Sequence, residues 1–263
     1  MKDSFSRREH IGWVDLLRVL ACFLVVFAHC CDPFVGQLDA DRGAFLTGAF
    51  AGSLVRCSVP LFVMMTGVLL LPYVEVAAPL LGYAGNGGNM GLWGVCDWNA
   101  YGTFYYFSGF VGYLVLAYYL VRYPLRWSWR RTLGVMAPLF AVGYLITALG
   151  FVATQNRFPG NFAYLEIVWY FCGINVFMMT LPVFIVMQKL AVAARPWLSR
   201  LASLTFGIYL CHFAVIPVCY DLLDCAALPD WVRLAGMSVA AFAASALVVW
   251  AMSRWSVTRR VVM

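Results

Sequence analysis

Residues 13–32 read WVDLLRVLACFLVVFAHCCD. This stretch is long and apolar enough to cross a bilayer, since a membrane-spanning helix needs about 20 residues. It nevertheless carries three ionisable side chains, Asp15, Arg18 and His29. Arg18 and His29 are eleven residues apart, so a helix places them on one face, roughly 16 Å apart along its axis. Ionisable groups in a membrane helix are costly, and by default they indicate a functional site inside the bundle.

A structural interpretation of the same three residues also exists. Asp15 and Arg18 can pair at i, i+3 near the water boundary, and His29 can cap the far end of the helix. For each residue alone, this interpretation is about as good as a functional one. Three ionisable groups on one short helix favour function.

The composition of the chain indicates an integral membrane protein. Of its 263 residues, 63% are hydrophobic and 11% are charged, whereas about a quarter of an ordinary soluble domain is charged. The ten Trp, fourteen Tyr and twenty Phe suit packed membrane helices and interfacial belts. The nine Cys are scattered without a C-x-x-C pair, which argues against a disulfide framework or a zinc site.

The hydropathy pattern predicts an all-α fold, a polytopic bundle of transmembrane helices that forms a single membrane domain over residues 1–263. Clear spans are expected at residues 11–31, 44–71, 103–122, 132–153, 163–188, 201–223 and 232–253. Pro60 predicts a kink in the second span. Arg56, just ahead of that proline, either extends to the outer interface or faces the same cavity as His29.

Basic residues at the ends of the spans predict the topology. The polar segment 1–10 is basic and no signal-peptide cleavage site follows the first span, so we expect a retained helix with a cytoplasmic N-terminus. Three further basic clusters, at residues 122–131, 189–200 and 254–260, are also expected in the cytoplasm. The acidic loop that carries Asp32, Asp39 and Asp41 is then extracytoplasmic.

Residues 72–102 are rich in Gly and Asn and contain no Lys or Arg. The second span ends in the cytoplasm, whereas the span 103–122 must begin outside. The segment is therefore expected to cross the membrane as an irregular stretch buried within protein, because lipid does not tolerate exposed irregular backbone. The result is about eight crossings with both termini inside.

The charged or polar residues in or near the later spans are Glu166, Asn175, His212 and Asp221. Asn175 is interpreted as an interhelical hydrogen-bonding residue. His212, in SLTFGIYLCHFAVI, either joins the site of His29 or bonds a neighbouring helix away from it, and the second is slightly favoured. The sequence contains no Walker loop, dinucleotide fingerprint, HExxH motif or GxSxG elbow.

Four stretches resemble one family in the same order. WVDLLRVLACFLVVFAH is similar to the first helix of the integral-membrane acyltransferase 3 family, in which ten residues separate an Arg and a His, as they separate Arg18 and His29. SVPLFVMMTGVLLL resembles the second helix, YFSGFVGYLVLAYYL a later one, and LTFGIYLCHF the helix that usually reads FGIYLIHP. The resemblance implies an O-acyltransferase of the bacterial inner membrane. Such an enzyme moves acetyl or another short acyl group from acyl-CoA to a hydroxyl of an extracytoplasmic glycan or glycolipid.

The chain departs from the family pattern in the middle. The family normally has about ten helices and, after the second, a basic cytoplasmic segment associated with the CoA donor; that segment is missing here around residues 72–102. Phe213 follows His212 where the family usually has Pro. Two alternatives therefore stay open: an inactive, shortened family member, and a transporter or flippase-like binder of glycolipid whose polar groups line a pathway without chemistry.

Acyl transfer assigns each candidate a role. His29 is the general base for a sugar hydroxyl, since histidine as a residue type titrates near neutral pH. Arg18 is the second catalytic candidate and holds the donor phosphates or the oxyanion, with Asp15 holding its guanidinium; Arg56 and His212 are supporting candidates. No metal and no permanently bound cofactor are expected. The expected partners are acyl-CoA, the glycan or glycolipid acceptor and the bilayer, with no nucleic acid.

Overall fold

A computed structural model of the chain describes residues 11–65, 105–159, 168–169, 171–190, 192–224 and 228–255. These residues form helices and short connections, and no strand occurs among them. The helices are α1 (Gly12–Val35), α2 (Arg42–Leu54), α3 (58–65), α4 (Tyr105–Arg122), α5 (Trp129–Arg157), α6 (Ile174–Leu190), α7 (Pro196–Asp224) and α8 (Asp230–Met252). The predicted all-α class is confirmed.

Several of these helices have the length and composition of membrane spans. Five stretches are long and apolar enough to cross a bilayer: Gly12–Val35, Arg42–Met65, Trp129–Arg157, Pro196–Leu223 and Asp230–Met252. Phe110–Arg122 and Ile174–Leu190 are shorter apolar helices. The crossing expected at residues 72–102 lies outside the described residues, so the total of about eight crossings stays a prediction.

The chain divides into two compact units. The first unit spans Met1–Val55 and Val186–Met263, and the second spans Arg56–Ile185. The first unit contains α1, α2, α7 and α8, and the second contains α3, α4, α5 and most of α6. The single membrane domain expected from the sequence stays a prediction.

The first unit is built around α1, which packs against α2, α7 and α8. Its inward face consists of small and medium apolar side chains that are completely buried, namely Leu17, Ala21, Cys22 and Val26. Such side chains allow helices to pack closely, which is how membrane helices gain contact energy in the absence of a hydrophobic driving force between them. The stretch quoted above therefore supplies the core of this unit.

Helices α1 and α7 run side by side in the same direction. Three contacts join them at successive levels: Ser199 Oγ donates to Asp15 Oδ2 (2.6 Å), Cys22 Sγ donates to the carbonyl oxygen of Thr205 (3.4 Å), and the rings of His29 and His212 lie 5.3 Å apart. The partners are 183 or 184 residues apart in the chain at every level. This constant offset means that the two helices are parallel and in register.

The first helix is longer than expected. It was predicted to end at residue 31 but continues through Pro33 to Val35. Phe34 is buried and packs where α2 passes closest, at Gly48, whose added Cβ would meet Phe34 Cβ at 2.7 Å. Tertiary packing thus extends the last turn. Asp32 therefore lies on α1, and its assignment to the acidic loop was wrong.

The second predicted span, residues 44–71, is divided in two over its described part. Asp41 caps the start of α2 by accepting hydrogen bonds from the backbone N–H groups of Gly43 and Ala44. α2 ends at Leu54, residues 55–57 form a turn, and helix resumes at 58. Pro60 lacks the N–H that would bond a carbonyl four residues earlier, so it sits in the first turn of a new helix. The sequence predicted a kink at Pro60, whereas the structure has a break between two helices at residues 55–57.

The second unit shows one prediction confirmed and one corrected. Asn175 Nδ2 donates to Thr147 Oγ1 on α5 (2.8 Å) and to the Val168 carbonyl (2.6 Å), so it is the interhelical hydrogen-bonding residue that was expected. The span predicted at 163–188 is not one helix, because residues 171–173 form a turn and α6 begins at Ile174. Asn175 holds α5 and the residues on both sides of that turn together.

Candidate functional site

Two histidines from different helices meet in the first unit. The ring centroid of His29 on α1 lies 5.3 Å from that of His212 on α7, and the Phe213 ring lies 4.4 Å from both. His212 is completely buried, whereas the His29 side chain is 35% exposed. The parallel register of α1 and α7 brings together these residues, which are 183 positions apart in the chain.

His29 is oriented by a carboxylate on its own helix. Its Nδ1 lies 3.0 Å from Asp32 Oδ2, one turn further along α1. An ionised carboxylate only accepts hydrogen bonds, so Nδ1 carries the proton and Nε2 of the neutral ring holds the basic lone pair. Sequence reasoning missed Asp32 by placing it in a loop. A first helix predicted one turn longer would have placed Asp32 at the i, i+3 position from His29, where the two side chains can pair.

His212 is oriented differently. Its Nδ1 lies 2.6 Å from the carbonyl oxygen of Tyr209, so this nitrogen is also the protonated one. Its Nε2 is buried and has no hydrogen-bond partner among the described residues. A buried polar atom without a partner is costly and indicates a place where another molecule can supply a donor. The His212 ring lies next to that of His29 and its Nδ1 bonds the backbone of its own helix, so its membership of the site stays a prediction.

Phe213 contacts both imidazoles. The family motif usually has Pro at this position, so the departure noted in the sequence falls directly beside the histidine pair. The ring is 60% exposed and its other side is free to meet lipid or an acceptor. Phe213 therefore forms an apolar wall against His29 and His212, and no pattern in the sequence indicated that contact.

At the other end of the same helix pair lie Asp15 and Arg18. Asp15 is 3% exposed and accepts a hydrogen bond from Ser199 Oγ on α7 (2.6 Å). Arg18 is half-buried, one turn further along α1. Because α1 is continuous from Gly12 to Val35, helix geometry keeps Arg18 and His29 on one face, roughly 16 Å apart. The role of Arg18 towards a donor stays a prediction.

Arg56 belongs to the second unit. Its guanidinium stacks over the Trp169 ring at 3.6 Å and lies 5.7 Å from the Phe171 ring. Trp169 in turn stacks on Phe151, with 3.6 Å between ring centroids and 9° between the planes. A cation over an aromatic face is attracted by the ring quadrupole, so Arg56 is held against Trp169, and Trp169 makes the contact with α5. Its sharing of a cavity with His29 stays a prediction.

The arrangement suits proton transfer. A neutral imidazole whose Nδ1–H is held by a carboxylate can take a proton at Nε2, and the carboxylate stabilises the imidazolium that forms. Within the described residues, no three His, Cys, Asp or Glu side chains converge as metal ligands. The two imidazoles and Asp32 are the described groups at this end of the unit whose contacts suit acid–base chemistry.

Comparison with known families gives a match over most of the chain. The acyltransferase 3 model, described as an acyltransferase domain, matches residues 11–86 and 74–250. The match comes in two pieces that overlap at 74–86, and the absence of the family's basic segment stays a prediction. Searches of curated proteins and of solved structures found no match.

Proposed function

The chain belongs to the integral-membrane acyltransferase 3 family, and from this premise we propose a specific reaction. The protein transfers an acetyl or other short acyl group from acyl-CoA to a hydroxyl of an extracytoplasmic glycan or glycolipid. The single observation that carries the proposal is the His29–His212 pair, with His29 held by Asp32 at 3.0 Å and His212 presenting a buried Nε2.

His29 is the general base of this reaction. Its Nε2 removes the proton of the acceptor hydroxyl while the hydroxyl oxygen attacks the thioester carbonyl carbon. The new C–O bond forms, the C–S bond breaks, and the leaving thiolate takes the proton from the imidazolium. The products are the acyl ester and free CoA. Asp32 stabilises the transient positive charge of His29 through the hydrogen bond to Nδ1.

His212 is assigned a supporting role at the same place. Its Nε2 accepts a hydrogen bond, because the proton of the neutral ring is committed to the Tyr209 carbonyl. A hydroxyl of the acceptor is a suitable donor to this atom, and such a bond removes the cost of leaving Nε2 unpaired. His212 therefore orients the acceptor, and His29 deprotonates it.

The test uses purified protein in liposomes with labelled acetyl-CoA and a glycolipid extract. We expect label in the glycolipid with the parent chain. His29→Ala should lower turnover by roughly 10²–10⁴, the scale of a positioned acid–base group, and leave CoA binding nearly unchanged. His212→Gln should raise the acceptor KM more than it lowers kcat. A His29→Ala variant as fast as the parent would contradict the mechanism.

The same assay separates the alternative functions. Glycolipid that crosses the bilayer while all label stays on CoA would identify a transporter or flippase-like binder. Failure to bind CoA, together with unlabelled glycolipid, would identify an inactive family member. Label released only as acetate would show that the protein activates the thioester but that the acceptor was absent from the extract.

A further inference from the structure

A cavity of about 460 Å³ opens in the first unit at the start of α7. Its volume is within the range of small-molecule sites, about 300–1,000 Å³. The lining combines two arginines and two serines with small apolar residues: Ala194, Arg195, Pro196, Ser199, Arg200 and Ser203. Neither the histidine pair nor the matched family motifs lie in this cavity.

The charge of the lining favours an anion. Ser199 Oγ already donates to Asp15, and Ser203 Oγ donates to the Arg200 carbonyl at 2.6 Å. The two guanidinium groups, on exposed residues, are therefore the donors that can meet a ligand. The planar guanidinium binds two phosphate oxygens at once, which a point charge cannot do. Asp15 contacts the cavity lining at Ser199, but Asp15 is 3% exposed and its carboxylate accepts the hydrogen bond from that serine.

The position of the cavity defines what kind of anion fits. Ser199 lines the cavity and His212 lies thirteen residues further along the same continuous helix, a rise of roughly 20 Å. The basic residues predict that the cavity end of α7 faces the cytoplasm. A ligand that joins the two places must carry phosphates at one end and a reactive group on a long, narrow arm. Acyl-CoA has this form, with nucleotide phosphates, a pantetheine arm and a terminal thioester.

We propose that this cavity binds the phosphate groups of the acyl-CoA donor through Arg195 and Arg200. This assignment rests on the proposed acyl transfer and gives its donor a binding site on this chain. The two arginines then perform the task of the family's basic segment, which is missing between the second and third matched stretches. Arg18, roughly three turns before His29 on α1, lies between the phosphates and the thioester.

The first experiment measures CoA binding to the full chain in nanodiscs of zwitterionic lipid. The double variant Arg195→Gln/Arg200→Gln should weaken CoA affinity by about tenfold or more, because two charge-assisted contacts are lost. The matched control is Arg126→Gln/Arg130→Gln, which removes the same charge from exposed residues of the α4–α5 region and should change affinity less than about twofold. Melting temperatures of both variants equal to that of the parent chain establish that the fold is kept.

Pantetheine provides the second measurement, since it has the arm without the phosphates. Its affinity should be the same for the parent chain and the cavity variant. If CoA affinity is unchanged in the cavity variant, or falls equally in the control, the assignment is wrong. The same titration with an anionic phospholipid in the nanodisc tests the other source of phosphate. Loss of anionic lipid retention in the cavity variant, with CoA affinity intact, would also overturn the assignment.

Binding requires no turnover, so the two proposals can fail separately. CoA that binds through Arg195 and Arg200 without any transfer of label would refute acyl transfer and leave the cavity assignment standing. Transfer with an unchanged KM for acetyl-CoA in the cavity variant would refute the cavity assignment and leave acyl transfer standing.

Discussion

The Nδ1–H groups of His29 and His212 donate hydrogen bonds to different kinds of acceptor. His29 donates to the carboxylate of Asp32, which is charged, and His212 donates to a backbone carbonyl, which is neutral. A carboxylate stabilises an imidazolium far more than a carbonyl dipole does. His29 is also the partly exposed ring, whereas His212 is completely buried. These two differences assign the base role to His29 and the acceptor-binding role to His212.

The Asp32 carboxylate is tested by Asp32→Asn. The variant keeps a hydrogen-bond partner for Nδ1 but removes the charge that stabilises the imidazolium, so kcat for acyl transfer should fall by about tenfold to a hundredfold. CoA affinity should not change. Asp39→Asn, an exposed carboxylate in the turn after α1, is the matched control and should retain full activity. Comparable kcat values for the two variants would show that Asp32 does not act on His29.

Sequence reasoning found Arg18 and His29 because an eleven-residue spacing places two side chains on one face of a helix. The apolar stretch around them predicted that helix. It missed Asp32 because an acidic residue followed by proline is typical of a loop. It slightly favoured a structural role for His212, since a single polar residue on a membrane helix does not identify its neighbour. The parallel register of two distant helices is a tertiary property, which the local pattern does not contain.

Among the helices, close approach in the first unit depends on two glycines of α1 and α2. A Cβ at Gly12 would overlap the Val192 carbonyl oxygen, and one at Gly48 would lie 2.9 Å from the Val35 amide nitrogen. Both contacts are with backbone, which cannot rotate away. The start of α1 therefore lies directly against the residues that lead into the cavity, and α2 lies directly against the end of α1.

The α1–α2 contact is tested by Gly48→Ala. The added methyl group must displace the backbone of Phe34 and Val35, an overpacking that costs about 1–3 kcal/mol, so the melting temperature in detergent should fall. Gly236→Ala on α8 is the matched control, because nothing lies within 4 Å of the added Cβ. It should be neutral or slightly stabilising, since alanine is the better helix former. Equal losses for both variants would rule out a specific contact at Gly48.

The helix boundaries were predicted less well than the helices themselves. The first helix was drawn too short because its last turn is stabilised by the burial of Phe34, a tertiary contact. The break at residues 55–57 carries no glycine or proline, and only Pro60 beyond it indicated an interruption. The span at 163–188 was drawn through the turn at 171–173, since its residues are as apolar as those of a helix.

For the molecule as a whole, basic residues predict which connections face the cytoplasm. Ala40, in the turn after α1, and Tyr123, directly after α4, are both exposed. In intact cells, Ala40→Cys should react with a membrane-impermeant maleimide, and Tyr123→Cys should react only after permeabilisation. The parent chain provides the background from native thiols. The reverse pattern of labelling would invert the topology and place the arginine-lined cavity outside, away from any source of acyl-CoA.

Fold class and family were both predictable from the sequence, because composition determines the first and four ordered motifs carry the second. The irregular crossing expected at residues 72–102 has a different basis. It followed from the predicted membrane side of the neighbouring spans and not from a local sequence pattern. The family match comes in two overlapping pieces there, and the departure from the family pattern stays a prediction.

The shared register of α1 and α7 has a consequence for donor selection. Contacts at three levels hold the two helices against sliding, so the separation between the arginine-lined cavity and the histidine pair is constant. On the proposed function, a constant separation selects the length of the carrier arm and is indifferent to the acyl group, which lies beyond the sulfur. Choice of acyl group then depends on the surroundings of the two imidazoles, above all on Phe213. Substitutions near Phe213 can change which acyl group is transferred while the protein keeps the same carrier.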